Sequence, residues 1–270
     1  MKQKTKINLF LSLLVTLIII TSCGSTNHNN GSLKMIIKNK TLVVGTESGY
    51  APYEFLDKDG NLQGLDIEIA KLIGEEIGHE YKTTIKVKFV DMNFEGLLGA
   101  LQAGTIDMIA AAYSVTDDRK KVVDFSNIYI EETPVIVVRK NADIITLEEL
   151  AVSKVGAQLG TTMEEKAKEF VDESKVTTLL KNNDLIMQLK TGTLDAVILE
   201  ASVASNYLKI NSDLKLATFE FEQSNDGGYA FAIQKNQNEL LAIINKVIDE
   251  LIEQGKIGEM FEEASILAQG

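Results

Sequence analysis

Short apolar runs alternate with helical stripes from residue 41 to residue 267, and this alternation confines the chain to an α/β architecture. Residues 41–45 read as a strand. Leu65, Ile69, Leu72, Ile73 and Ile77 then recur at the three- and four-residue steps of one helix face. Residues 85–90 alternate as a strand. Phe94, Leu97, Leu98 and Leu101 form a second helical stripe that stops near Gly104, and 107–111 is the next buried strand. A second unit repeats the style. Residues 134–138 are extended, and 155–157 form a strand before Gly160, Thr161 and Thr162. Either threonine can cap the helix that runs through Met163 and Ala167 to Phe170. A strand at 176–180, a helix around 185–189 and strands at 196–199 and 229–233 follow. Two helices close the chain, one carrying Leu240, Ile244, Val247, Ile248 and Leu251, the other covering 257–267. Two α/β units predict a cleft between lobes, with ligands at the carboxyl ends of the strands.

The stretch after the strand at 107–111 carries the clearest chemistry. Ala112, Tyr113, Ser114 and Thr116 lead into Asp117, Asp118 and Arg119. A strand-to-helix turn of this kind presents backbone N–H groups to an anion. The arginine adds a planar, two-pronged donor for a carboxylate. The pattern describes a clamp for a small acid-bearing molecule.

The first residues place the protein. Lys2, Lys4 and Lys6 precede an apolar segment over 7–20, the arrangement of a secretory signal. Asn8, Ser12 and Thr16 interrupt that segment, which is too short for a comfortable membrane span. It ends in Ile20-Thr21-Ser22-Cys23, which resembles the lipobox of bacterial lipoproteins. The resemblance implies a signal peptide over 1–22, cleavage before Cys23 and diacylglyceryl transfer to the Cys23 sulfur, whose acyl chains would anchor the protein in the membrane. Residues 23–37 are expected to form the lipidated end and a flexible tether, with His28 as solvated filler. Cys23 is the only cysteine, so an internal disulfide is excluded. Removal of residues 1–22, which hold three lysines and no acid, takes the formal charge from −12 to −15. Nucleic acid and anionic membrane surfaces are therefore poor partners.

Several pieces, in this order, resemble the polar-amino-acid solute-binding proteins of bacterial ABC importers. They are Leu42-Val43-Val44-Gly45, Tyr50-Ala51-Pro52-Tyr53-Glu54-Phe55 and Asp59 through Ala70. Gly104 through Ile109, Thr116-Asp117-Asp118-Arg119, Asp124-Phe125-Ser126, Gly160-Thr161-Thr162 and Gly192 through Ile198 complete the set. The resemblance spans most of 41–265. It implies a two-lobed, type II periplasmic-binding-protein fold with two hinge strands. Residues 38–133 and 228–270 would build lobe 1, and residues 134–227 would build lobe 2. Hinge closure would trap a free amino acid. The protein would then dock, as a monomer on the extracytoplasmic face of the cell membrane, on permease subunits driven by a cytosolic ATPase. No cofactor is implied.

The same resemblance assigns roles. Arg119 would pair with the ligand α-carboxylate, helped by the Ser114 hydroxyl, a backbone contact from Ala112, and Thr161 and Thr162 of the second lobe. Tyr50 and Phe94 would wall the ligand side chain, with Tyr53 and Phe55 nearer the core. Glu200 stands where the family often has Asp and would hold the α-ammonium. Glu47 would face the ligand side chain, with Gln158 adding an amide contact. A carboxylate between aromatic walls favours arginine or lysine, though glutamine could also donate to Glu47. His79 is a lone histidine at a helix end. The sequence shows no metal-ligand cluster and no nucleophile–base pair. Two alternatives stand beside the receptor: a cyclohexadienyl dehydratase-like enzyme of the same fold, with Glu200 or Glu47 as general acid, and a ligand-sensing ectodomain.

Overall fold

The computed structural model describes residues 33–221 and 228–269. The chain begins with α1 (Leu33–Asn39), β1 (Thr41–Thr46), the short strands β2 (Phe55–Leu56) and β3 (Leu62–Gln63), α2 (Leu65–Glu80), β4 (Lys86–Asp91), α3 (Phe94–Gln102) and β5 (Met108–Ile109). It continues through α4 (Asp117–Lys120), β6 (Val123–Phe125), β7 (Pro134–Arg139), α5 (Leu147–Val152), β8 (Val155–Gln158), α6 (Thr162–Phe170), β9 (Val176–Leu179) and α7 (Asn182–Thr191). Last come β10 (Ala196–Glu200), α8 (Ala201–Ile210), β11 (Leu214–Leu216), β12 (Ala232–Gln234), α9 (Asn238–Glu253) and α10 (Lys256–Leu267).

These elements form two five-stranded sheets, in the orders β4-β1-β5-β12-β6 and β11-β7-β10-β8-β9. Each sheet has the same grammar. In the first, β1 pairs in parallel with β4 and β5, while β12 runs antiparallel to β5 and β6. In the second, β8 pairs in parallel with β9 and β10, while β7 runs antiparallel to β10 and β11. Helices cover both faces of each sheet, which is why β10 is buried at all five of its positions. In the first lobe α2 and α9 pack one face through Ile69, Ile73, Ile244 and Ile248, and α3 packs the other through Leu97 and Leu101. In the second lobe Met163 and Ala167 of α6 lie on one side, and Leu185 and Leu189 of α7 on the other.

The architecture is the expected two-lobed α/β fold, with local differences. Part of the tether expected over 23–37 is structured: residues 33–37 belong to α1, whose Leu33 and Ile36 are buried in the first lobe's core. The strand expected over 107–111 pairs only at Met108 and Ile109, and that at 229–233 only from Ala232, with Tyr229 instead bridging Ser114 and Ile130. The signal peptide expected over 1–22 and Cys23 lie outside the described residues.

Candidate functional site

Almost every residue singled out in the sequence sits at the carboxyl end of a strand, where open α/β sheets place their ligands. Glu47 follows β1, Phe94 opens α3 after β4, and Ala112 and Ser114 follow β5. Gln158 ends β8, Thr162 opens α6, and Glu200 ends β10. The two sheets bring these ends face to face.

One end of the site is built around Arg119. Its Nη1 donates to the Ser114 carbonyl at 2.8 Å and its Nη2 crosses to the Gly160 carbonyl of the second lobe at 2.9 Å. The guanidinium lies 4.1 Å from the Tyr113 ring centroid and 5.5 Å from that of Phe94, so two aromatic rings fix its plane. Ser114 Oγ and Thr162 Oγ1 meet across the cleft at 3.3 Å. Gly160 must be glycine here: its φ is +81°, and a Cβ would press within 3.3 Å of the Glu95 backbone of the first lobe. A cleft of about 510 Å³, lined by Ser114, Thr162, Glu200 and Tyr229 among others, opens beside these groups.

Thr161 and Ala112 also make contacts within the protein itself. The Thr161 hydroxyl is spent on its own helix: it accepts from Glu164 N as the N-cap of α6 and donates to the Gln158 carbonyl at 2.7 Å. Thr162 is therefore the threonine whose hydroxyl reaches the first lobe. The Ala112 N–H is likewise taken, donating to Asp66 Oδ2 at 2.8 Å, so only its carbonyl is left for the backbone contact.

The other end is acidic. Glu47 is 3% exposed and receives two donors from the second lobe: Lys181 Nζ at 2.6 Å on Oε1 and Gln158 Nε2 at 2.5 Å on Oε2. Gln158 also donates to the Leu180 carbonyl at 3.0 Å and accepts from Asn182 Nδ2 at 3.1 Å. Its amide is engaged by these protein partners and orients Glu47. Burial pushes the Glu47 carboxyl up, against the pull of Lys181. Tyr50 hydrogen-bonds Glu200 through its hydroxyl, so Tyr50 is tied to the opposite lobe. Glu200 is the N-terminal flanking residue of α8 without capping it, and burial raises its carboxyl too. Tyr229 is buried with its hydroxyl close to Glu200 and Tyr50.

Three participants escaped the sequence reading. Lys181 carried no signal beyond following a strand. Asp66 belongs to the first turn of α2, where an acid reads as complement to the helix dipole. In the structure it holds Ala112 N and the Tyr129 hydroxyl, at 2.8 and 2.7 Å. Glu132 lies where the chain crosses between lobes. It accepts from the Tyr53 hydroxyl at 2.6 Å and from Ser202 N at 3.2 Å, tying lobe 1 to the start of α8.

The acids impose a pH dependence. Burial pushes Asp66 up to about 7 and Asp107 up to about 6, and raises Glu47, Glu54 and Glu200. Between about pH 4 and 7 the native chain therefore holds more protons than the unfolded one, so stability falls as pH rises through that window. The acids held low by hydrogen bonds, such as Asp57, Asp143 and Asp172, act below about pH 4 and do not oppose this. Melting curves from pH 4.5 to 8 are expected to show the midpoint several degrees higher near pH 5 than at pH 7.5. A midpoint that climbs to neutrality would contradict this picture of the buried acids.

The model for bacterial extracellular solute-binding proteins, family 3, matches residues 42–264. The chain belongs to that family. Among its relatives, the arginine-binding extracellular protein ArtP of Bacillus subtilis (strain 168) is 34% identical over 243 residues, covering 89% of this chain and 90% of ArtP. The amino acid ABC transporter substrate-binding protein AbpA of Streptococcus pneumoniae, solved with L-arginine bound, superposes with a TM-score of 0.82 at 34% identity, covering 87% of this chain and 98% of AbpA. An ancestral arginine-binding protein bound to glutamine gives 0.74 at 38% identity, over 83% of this chain and 97% of that one. As a family 3 member the chain is a solute-binding protein, and the dehydratase alternative falls away.

Proposed function

We propose that this family 3 protein is the extracytoplasmic receptor of an amino-acid ABC importer and that its ligand is a basic amino acid, arginine before lysine. The observation that carries the reading is Glu47, a carboxylate 3% exposed where the lobes meet that accepts a cation at 2.6 Å. Beside the Arg119, Ser114 and Thr162 end, it gives the site an anion receptor and a cation receptor at opposite ends. A basic amino acid carries those two charges. Arg119 and the Ser114 and Thr162 hydroxyls take the α-carboxylate, Glu200 takes the α-ammonium, and Phe94 and Tyr50 flank the side chain. The arginine-binding relatives support the same choice. Residues 38–133 with 228–270, and 134–227, act as the two lobes that close on the ligand for presentation to permease subunits. Cys23 carries the lipid anchor that keeps the protein at the membrane.

Glutamine is the second reading, because Lys181 already balances the Glu47 charge and an ancestral arginine-binding protein has been solved with glutamine bound. Calorimetric titration against the twenty amino acids, after co-purified ligand is removed by unfolding and refolding, separates the two. Tight arginine or lysine binding lost in Glu47→Gln supports the first. Tight glutamine binding that tolerates Glu47→Gln favours the second, and no amino-acid binding at all would sink both.

A further inference from the structure

Glu47 and Lys181 lie 134 positions apart in sequence and on opposite lobes, yet form an ion pair at 2.6 Å. The two partners are unequal. Glu47 is almost completely enclosed, whereas the Lys181 side chain keeps 39% of its surface exposed. The backbone at Lys181 is fixed, since its carbonyl accepts from Asp184 N and Leu185 N at the start of α7. Its side chain is free to swing into solvent without disturbing the helix. Around Glu47 stand two further acids, Asp91, which accepts from Ser48 N and Oγ, and the buried Glu54, whose carboxyl burial pushes well up toward its neutral form; Lys181 is the cation paired to Glu47. A buried carboxylate neutralises one monovalent cation. A second brought alongside would meet Lys181 as a like charge in a poorly solvated setting.

We propose that Lys181 is an internal competitor for the side-chain cation of the ligand: its ammonium occupies Glu47, bridges the lobes there, and must yield before a guanidinium or ammonium from outside can pair with the same carboxylate. This rests on the basic-amino-acid reading above and adds a residue that sets both affinity and selectivity. A ligand with a charged side chain has to displace Lys181, so its apparent affinity is reduced by the fraction of molecules in which Glu47 is free. A neutral ligand of the same shape can donate to Glu47 beside Lys181 and bears little of this cost. Lys181 thus narrows the gap between charged and neutral ligands, which Glu47 alone would widen.

The test compares the full chain in mild detergent with its K181M and K181R variants, titrated with arginine and with citrulline, its uncharged isostere, after melting curves establish that all three are folded. K181M is expected to bind arginine roughly tenfold more tightly than the wild type, the size set by the small free fraction of Glu47. Citrulline affinity should change much less, and K181R should stay at or below wild-type arginine affinity. Unchanged or weaker arginine binding by K181M would overturn the competitor. So would an equal gain in K181M and K181R, since charge would then not be the cause. If neither wild type nor K181M binds arginine, nor lysine titrated in the same way, the basic-amino-acid reading itself falls. That outcome is distinct from a wild type that binds arginine with no response to Lys181.

Discussion

Replacing Arg119 with alanine is expected to abolish amino-acid binding at millimolar ligand while leaving a folded protein. Arg119 reaches both lobes, with Nη1 on the Ser114 carbonyl and Nη2 on the Gly160 carbonyl, and is planed between Tyr113 and Phe94. Truncating one partner of a partly buried, hydrogen-bonded charge pair costs about 2–5 kcal/mol, or roughly 30- to 4,000-fold in affinity. Lysine is not a conservative substitute, because a single ammonium cannot reproduce a planar fork that spans two carbonyls and stacks on a ring. R119K is therefore expected to lose about 10²-fold or more. On the arginine reading proposed above, the stabilisation expected from arginine in thermal melts should vanish in parallel. Binding by R119A within about threefold of wild type would show that the carboxylate is held elsewhere.

Asp66→Ala is expected to damage stability and binding together. The Asp66 carboxylate is the partner of two buried donors, Ala112 N–H and the Tyr129 hydroxyl, and Ala112 sits at φ +44°, a left-handed conformation unusual for a residue with a Cβ. Removing the acceptor orphans both donors at about 1–3 kcal/mol each. Relaxation of the strained Ala112 turn offsets only about 1 kcal/mol of this loss. For a body of this size a loss of that order lowers the melting midpoint by roughly 5–15 °C. The Ala112 turn leads directly to Ser114, so amino-acid affinity should fall about tenfold even at temperatures where D66A is fully folded. Asp66→Asn, which keeps one acceptor oxygen, should lie between. If D66A melts early but binds with wild-type affinity, Asp66 supports the fold without positioning the site.

Much of this arrangement can be read from the chain itself. The strands at 41–46, 86–91, 155–158 and 196–200 are apolar enough, and the helices 65–80 and 238–253 long enough, for period alone to reveal them. α1, β2, β3, β6 and β11 span two to seven residues, too few for a period to emerge, and they exist because the lobes around them provide partners. Arg119 and Ser114 were visible at the strand-to-helix turn that follows residues 107–111, whereas Thr162, Glu47 and Glu200 were visible only through the resemblance to the solute-binding family. Lys181 was not, because its meaning comes from a carboxylate on the other lobe and no local pattern encodes that distance. Asp66 was visible only as one acid in a helical first turn. Its role follows from a backbone conformation 46 residues away that no side-chain pattern announces. Thr161 and Thr162 are adjacent hydroxyls, and only the path of α6 decides which one caps the helix and which one faces the cleft.

The position of β12 has a consequence for how the molecule comes into being. β12 lies between β5 and β6 in the first sheet, yet it is the last strand in the chain, and all five strands of the second sheet precede it. The second sheet can assemble from one continuous stretch as it emerges. The first must wait with the edges of β5 and β6 unpaired until residues 232–234 arrive. Loss of those residues would leave two open strand edges rather than a shortened sheet, and open edges pair readily with other chains. Chain termination before β12 should therefore yield aggregated material rather than a soluble half-receptor, and the step that commits the molecule to its final form is the arrival of its tail.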